Sequence, residues 1–299
     1  MAERTVSPVG ARAFLWLQHV TPKYLLTAVV RWLGGISVPL VKDFMIRNFV
    51  KLYKVDLDDV ARPVPDGFDD FNDFFTRELA DDARPVDASP RSIVSPVDGF
   101  VSAAGNIEGD RLLQAKGIRY RLEDLLATDL ADAAGFENGS FATLYLAPFN
   151  YHRVHSPLAG TLTALRYVPG SLYSVNEMTV QTRAGLFARN ERLVALLQTA
   201  VGPVALILVG ALNVGSITTP WTGVLRPRKS GVVSDLTPAA AGTGDPTIAK
   251  GALFGWFNMG STVIVLTPPG TCRWHHELQP GNRVTTGEAI GTLIDNDVD

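Results

Sequence analysis

From Ser92 onward the chain is written in short apolar, β-prone runs broken by glycine and proline, and that rhythm constrains the fold more than any other feature. The runs cover residues 100–103, 141–146, 160–167, 193–198, 204–210, 215–219 and 262–267. Runs of this length and spacing predict a compact, mostly antiparallel β domain over residues 92–299. Two stretches within it are alike: Ser95-Pro96-Val97-Asp98-Gly99 and Ser156-Pro157-Leu158-Ala159-Gly160 are both Ser-Pro turns feeding a strand, which hints at an internal duplication. Residues 281–291 carry the hairpin rhythm of barrel-like hybrid folds, including swivelling carrier domains, and imply nothing by themselves about activity.

The last of the apolar runs has an unusual entrance. Thr262-Val263-Ile264-Val265-Leu266 reads as a buried strand, yet it opens on the small, polar Gly260-Ser261. A glycine lets the backbone bend and be approached closely, so the Gly260 carbonyl lies within reach of the next residue's hydroxyl. A β-bulge before a core strand would use the same residues.

The segment before Ser92 is different in kind. Residues 1–54 carry eight Lys/Arg against two acids, whereas residues 55–99 carry twelve acids against four arginines, so the formal charge of -3 conceals a basic end and an acidic connector. This polarity argues against a nucleic-acid partner. A helix is predicted from a capping Thr21 with Pro22 in its first turn, with Leu25, Ala28, Val29, Trp32 and Leu33 on one face and Lys23, Thr27 and Arg31 on the other. Gly34-Gly35 ends it. A second helix opens at Ser37, with Val41, Phe44, Met45 and Phe49 opposite Asp43, Arg47, Lys51 and Lys54. Such faces suit packing on a domain or lying in a membrane interface. The run is too interrupted for a secretory signal or a membrane span, and the single Cys272 allows no internal disulfide. Over residues 55–91, Phe68, Phe71, Phe74 and Phe75 are read as packing, and Asp69, Asp70, Asp73, Asp81 and Asp82 as a solvated face.

The residues able to carry chemistry are few. Asp98 lies in the first Ser-Pro turn, and His152 and His155 lie three apart in Tyr151-His-Arg-Val-His155, which in an extended segment sets them on opposite sides and in a helical turn on the same side. His275 and His276 complete a set of four, without the spacing of a zinc protease. Ser261 lacks the elbow of a serine hydrolase, but an Asp, His and Ser trio can activate a hydroxyl whatever its order along the chain.

Ser95-Pro-Val-Asp-Gly99, Tyr151-His-Arg-Val-His155, Tyr167-Val-Pro-Gly170 with Ser174-Val-Asn176, Leu186-Phe-Ala-Arg-Asn-Glu-Arg192 and Gly260-Ser-Thr262, with Leu113-Gln-Ala-Lys-Gly117, together resemble the bacterial, pyruvoyl-dependent phosphatidylserine decarboxylase family. The resemblance runs from the N-terminal helices to the Gly-Ser-Thr strand and weakens after Leu266. Met259 departs from the family's usual leucine, a near-isosteric change that predicts retained self-processing.

The resemblance implies an α+β protein: amphipathic helices over 1–54, an acidic connector over 55–91, and a mostly antiparallel, barrel-like catalytic domain over 92–299. Asp98 would orient His155, which would take the proton of Ser261 so that its oxygen attacks the Gly260 carbonyl. Elimination and loss of ammonia would leave fragments 1–260 and 261–299 as a heterodimer, the smaller capped by a pyruvoyl group made from Ser261. That group would form a Schiff base with phosphatidylserine and release carbon dioxide and phosphatidylethanolamine, with His152 handling protons and no metal needed. Tyr145 is a candidate headgroup residue, a packed tyrosine being the alternative. A diacyl substrate implies an anionic membrane as partner, peripheral attachment on the cytoplasmic side of the cell membrane, and an oligomeric state left open. A zinc peptidase, which would need metal on these histidines, and a non-enzymatic carrier module, which would keep Ser261 uncut, stand as alternatives.

Overall fold

The structure is a computed structural model that describes residues 21–115, 117–127, 130–212, 216–238, 244–258 and 261–294. Two N-terminal helices, α1 (Lys23–Gly34) and α2 (Pro39–Tyr53), are followed by the short α3 (Phe71–Phe75). Strands then dominate. They are β1 (Ser92–Val94), β2 (Gly99–Asn106), β3 (Arg111–Ala115), β4 (Ile118–Arg121), β5 (Ser140–Tyr145), β6 (Arg153–His155), β7 (Gly160–Val168), β8 (Arg192–Thr199) and β9 (Gly202–Val209). The second half adds β10 (Ile217–Thr219), β11 (Gly223–Leu225), β12 (Ser234–Asp235), β13 (Thr247–Ile248), β14 (Leu253–Phe257), β15 (Thr262–Thr267), β16 (Cys272–Trp274), β17 (Arg283–Val284) and β18 (Ala289–Leu293).

The main sheet runs β12-β7-β8-β9-β15-β5-β2-β17, with β13 also on β7, and every pairing in it is antiparallel. β15 lies at its centre because Thr-Val-Ile-Val-Leu-Thr is apolar or β-branched on both faces, and all six residues are buried between β5 and β9. The α+β class is as expected, but the sheet is open rather than a closed barrel. Its end strands β12 and β17 are two residues each, too short to pair around the gap. A second sheet, β11-β10-β14-β6, and a third, β1-β18-β16, flank it, and β3-β4 forms a hairpin.

The two Ser-Pro stretches fold alike. Ser95 Oγ donates to the Val97 carbonyl and Ser156 Oγ to the Leu158 carbonyl, each at 2.7 Å. The two turns also pair with each other reciprocally: the Val94 amide donates to Pro157 O (3.1 Å) and the His155 amide to Pro96 O (2.8 Å). Each turn has its own partner as well. Ser95 exchanges backbone hydrogen bonds with Gly287 and Glu288, and Ser156 does so with Gly251 and Ala252. These bonds relate the stretches by a local two-fold. Gly99 and Gly160 both lie tight on a neighbouring strand, where a Cβ would stand 2.4 Å from Tyr145 O or 2.8 Å from Gln198 O.

α1 packs opposite to its amphipathy, whereas α2 is divided: Met45 and Phe49 pack inward and Arg47, Lys51 and Lys54 face solvent, but Val41 and Phe44 of the same apolar face are exposed. In α1, Lys23 and Thr27 are buried while Leu25 and Trp32 are 64% and 69% exposed; in α2, Lys42 and Ile46 are buried while Leu40, Phe44 and Leu52 stand in the open. The polar face of α1 turns inward because it finds partners there. Lys23 Nζ sits 3.4 Å from the Tyr173 ring centroid, Tyr24 donates to the Gly170 carbonyl, and Asn72 Nδ2 donates to Arg31 O at the end of α1. Pro22, not Thr21, occupies the N-cap position, and the second helix begins at Pro39 rather than Ser37. The phenylalanines of the connector do pack: Phe68, Phe71, Phe74 and Phe75 form a small separate core with Ile46 and Val55. Asp70 caps α3, and Asp73 pairs with Arg62 at 2.6 Å rather than standing free. Among the described residues, no single helix is long and apolar enough to cross a membrane.

Candidate active site

Ser261 stands where two sheets meet. β9 and β15 pair up to Val209 opposite Thr262, and in the second sheet Ile217 of β10 pairs with Phe257 of β14. Between these two pairs one chain has seven residues and the other four. Met259 and Gly260 fall outside the described residues. Ser261 is held from the other side, since the Leu146 amide donates to its carbonyl (2.9 Å). Its side chain is fully buried, and among the described residues its Oγ has no hydrogen-bond partner.

Asp98 is 2% exposed and tightly held. Arg84 donates to it through Nε (2.9 and 3.1 Å) and Nη2 (2.7 Å), and the Thr286 amide adds a bond of 2.9 Å. Burial alone would raise the carboxyl's pKa, but the guanidinium and the amide outweigh it and hold Asp98 below the ordinary carboxylate range. Arg84 also reaches Asp59 at 2.8 Å.

His155 is oriented by the backbone. A carbonyl can only accept, so Nδ1, 2.8 Å from Gly251 O, carries the proton and donates it. Nε2 is then the free lone pair of the neutral ring, and it lies 3.1 Å from the Tyr151 hydroxyl, which donates to it. Burial, helped by Arg153, lowers the pKa of His155, so the ring is a neutral base at pH 7. Among the described residues, no hydrogen bond joins Asp98 to His155, or His155 to Ser261, in this arrangement. His152 turns the other way from β6. It is fully buried, stacked on Phe75 at 4.1 Å, with Nε2 donating to Pro148 O (3.3 Å) and Nδ1 unpartnered among the described residues. Burial first, and then the charge of Arg77, push its pKa down to about 3.

Tyr145 pairs with Thr262 and so shares its face of the sheet, opposite to the face that register gives Ser261. Burial and the nearby phenol of Tyr53, at the end of α2, raise its pKa. A cleft of about 510 Å³ opens beside Asp98 and Tyr151, lined also by Lys54, Arg77, Arg84 and Arg283. Arg77 is 3% exposed; its Nη2 donates to the carbonyls of Phe149 (3.0 Å) and Asn150 (3.3 Å), while Nε and Nη1 have no partner among the described residues. Sequence reasoning missed Arg77, Arg84, Tyr151 and Thr286. The one signal for the arginines was that they are basic exceptions in an acidic stretch. His275 makes a solvent-exposed hydrogen bond with Thr292 Oγ1 (2.9 Å) of the third sheet, and among the described residues no three His, Cys, Asp or Glu side chains gather as a ligand set.

A family model described as phosphatidylserine decarboxylase matches residues 71–292, and a second, described as PSD, matches residues 13–54. The chain is 46% identical over 281 residues to the phosphatidylserine decarboxylase proenzyme of Azotobacter vinelandii, covering 94% of this chain and 98% of that one. It is 44% identical to the proenzyme of the same name from Klebsiella pneumoniae, covering 94% and 88%, and 44% identical to that of Methylococcus capsulatus, covering 94% and 96%. Matches that span nearly the whole of both partners, together with a family model over most of the chain, show that this chain belongs to the phosphatidylserine decarboxylase family of carboxy-lyases.

Proposed function

We propose that the chain is a proenzyme that cuts itself between Gly260 and Ser261 and then converts phosphatidylserine to phosphatidylethanolamine and carbon dioxide. The observation that carries this reading is the hydroxyl of Ser261, buried without a partner among the described residues at the mouth of the central strand, in a chain whose relatives are named proenzymes. An orphaned buried hydroxyl costs about 1–3 kcal/mol, a cost that a passive core position would avoid with alanine. It fits the site where a pyruvoyl group would form. Such a group, once made, supplies an electron sink for removing the carboxylate of an amino-acid headgroup.

His155 is the general base of the first step, its Nε2 exchanging the Tyr151 hydroxyl for that of Ser261. Asp98 lies close enough to favour the charged ring electrostatically. His152 keeps an unprotonated Nδ1 for proton handling in decarboxylation, and Arg77 offers two unpartnered donors to an anionic headgroup. Tyr145, facing the helical side, is the further headgroup candidate. The fragments 1–260 and 261–299 stay together because β15 is hydrogen-bonded on both edges.

The exposed apolar strip of Leu25, Val29, Trp32, Leu33, Leu40 and Phe44 supports peripheral attachment to the cytoplasmic face of the cell membrane. Lys and Arg beside it would each add roughly 1 kcal/mol on an anionic surface. Intact mass of the purified protein beside Ser261→Ala, with carbon dioxide release from phosphatidylserine vesicles, tests the reading. A 39-residue fragment blocked at its N-terminus, and turnover lost in the variant, is expected. A folded, uncut and inactive wild type would sink it.

A further inference from the structure

The register of the main sheet places a second carboxyl group beside Ser261. Val209 pairs with both Thr262 of β15 and Arg192 of β8, so one position further along, Gly210 lies between Ser261 on one side and Glu191 on the other. The Gly210 amide donates to Glu191 O (2.8 Å), so the pairing continues past the regular strand on the Glu191 side, and on the other side Ser261 is placed opposite Gly210 by extending the Thr262–Val209 register one position. Directly opposed residues of antiparallel strands stand on the same face, so Glu191 and Ser261 project to one side with only a glycine between them. The space over that glycine is filled by the carboxyl: a methyl group at position 210 would lie 2.6 Å from Glu191 Cγ and 2.7 Å from its Oε1. One strand spacing, about 4.5–5.5 Å between opposed residues, separates that point from Ser261.

The two carboxyl oxygens are used unequally. Oε2 accepts from the Tyr167 hydroxyl (2.7 Å), and Tyr167 lies on the same face by its pairing with Leu193. Oε1 has no partner among the described residues, and Glu191 is 1% exposed. A buried carboxyl with one oxygen unpartnered, aimed over a glycine toward an unpartnered serine, is expensive as packing and useful as a base. Because the Leu146 amide fixes Ser261 as the hydrogen-bonded pair on the β5 side, its pairing with Gly210 is the non-bonded kind, in which the two Cα hydrogens point at each other.

We infer that Glu191 is the base that removes the α-hydrogen of residue 261 during self-processing. This rests on the reading that the chain cuts itself at Gly260-Ser261. Once the Ser261 oxygen has become the ester of Gly260, the Glu191 carboxylate takes Hα as a proton; the Cα–H electrons become the Cα=Cβ bond; the Cβ–Oγ bond breaks, and its electrons leave with Gly260 as a carboxylate. His155 serves the earlier proton transfer from Oγ, so the two bases divide the two steps. Burial raises the pKa of Glu191 to about 7, which leaves both the proton-accepting and the proton-returning forms populated near neutrality.

The test is Glu191→Gln, an isosteric change that keeps a partner for Tyr167, compared with wild type and Glu191→Asp. Samples are treated with hydroxylamine and read by intact mass, with melting curves to check folding. The Gln variant is expected to stop at the ester. It should keep the mass of the precursor, and hydroxylamine should split it into a Gly260 hydroxamate and a 39-residue chain that begins with the free amine of Ser261. Wild type should yield the blocked chain, and the Glu191→Asp variant should yield it slowly. Should the Gln variant fail to fold, a pH series on wild type decides. The hydroxylamine-sensitive ester should accumulate below about pH 7 and drain to the blocked fragment above it, because His155, with its lowered pKa, is already neutral there. The groups facing Glu191 through that range are the Tyr167 hydroxyl on β7, the Tyr24 phenol on α1 and the Arg228 amide, and burial holds both phenols high. Normal formation of the blocked fragment by the Gln variant, or a folded variant that is both uncut and hydroxylamine-resistant, overturns the inference alone. A wild type that never cuts overturns the self-processing reading with it.

Discussion

Replacing Arg84 by Met in a Ser261→Ala background isolates the support of Asp98 in an uncut chain. Asp98 has 3% of its side chain exposed and Arg84 17%, and three of the contacts on Asp98 come from this one guanidinium. Removing one member of a fully buried pair costs about 3–5 kcal/mol. Partial exposure of Arg84 and the remaining Thr286 amide reduce the expectation to about 2–3 kcal/mol at pH 7. The sign with pH follows from the wild-type shift. Because the folded pKa of Asp98 is depressed, its stabilisation is complete above the unfolded value of about 3.9 and is lost only as pH falls through the lower folded pKa. Without Arg84 the burial contribution is no longer outweighed and the folded pKa rises above the unfolded one, so the variant recovers stability as acid protonates it. Urea denaturation at pH 7 and pH 5 should therefore give a difference between the two proteins that shrinks at the lower pH. A loss under 1 kcal/mol, or a difference that does not change with pH, would refute the claim that this ion pair is what keeps Asp98 charged.

Three further outcomes are expected. Tyr151→Phe removes the donor that occupies Nε2 of His155, so Ser261 should be processed at least as fast as in wild type, whereas His155→Ala should leave the chain uncut; mass spectra over time distinguish them. Gly210→Ala drives a methyl into the Glu191 side chain and should cost about 1–3 kcal/mol in denaturant unfolding while slowing appearance of the blocked fragment. Trp32→Glu with Phe44→Glu changes only exposed positions, so Tm should hold within a few degrees, while flotation with anionic vesicles should fall several-fold; retained flotation would count against the helical strip as the membrane face.

The apolar strands were legible because their pattern needs no knowledge of partners: residues 262–267 read as a strand and form β15 without a shift, and the runs at 160–167 and 193–198 grow by a residue at one or both ends. β3, β4 and β6 were missed because Arg, Gln and His interrupt their apolar positions, and their pairing is settled by neighbours brought from afar. The helices show the limit of periodicity. It located two amphipathic segments but could not say which face turns inward, since Lys23 over Tyr173 is a contact between residues 150 apart in sequence. Asp98, His152, His155 and Ser261 were nameable from side-chain type and setting. Arg84, the Thr286 amide and the Gly251 carbonyl were not, because the bond from Thr286 to Asp98 spans 188 residues and a backbone group leaves no mark in the alphabet.

The reciprocal bonds between the two Ser-Pro turns have a consequence for how direction arises in this site. A two-fold axis makes both copies of any position equivalent, and a symmetric crossing can hold either two identical sites or none. Under the relation that matches Ser95 to Ser156, Asp98 corresponds to Ala159 and His155 to Val94, so each copy keeps one ionisable residue where the other has an inert one. The acid and the base are thus contributed by opposite copies. What the axis supplies is rigidity, two turns locked to each other and each to a second segment of backbone; what breaks it is two side chains, and the chain thereby has one handed site where its backbone would tolerate a pair.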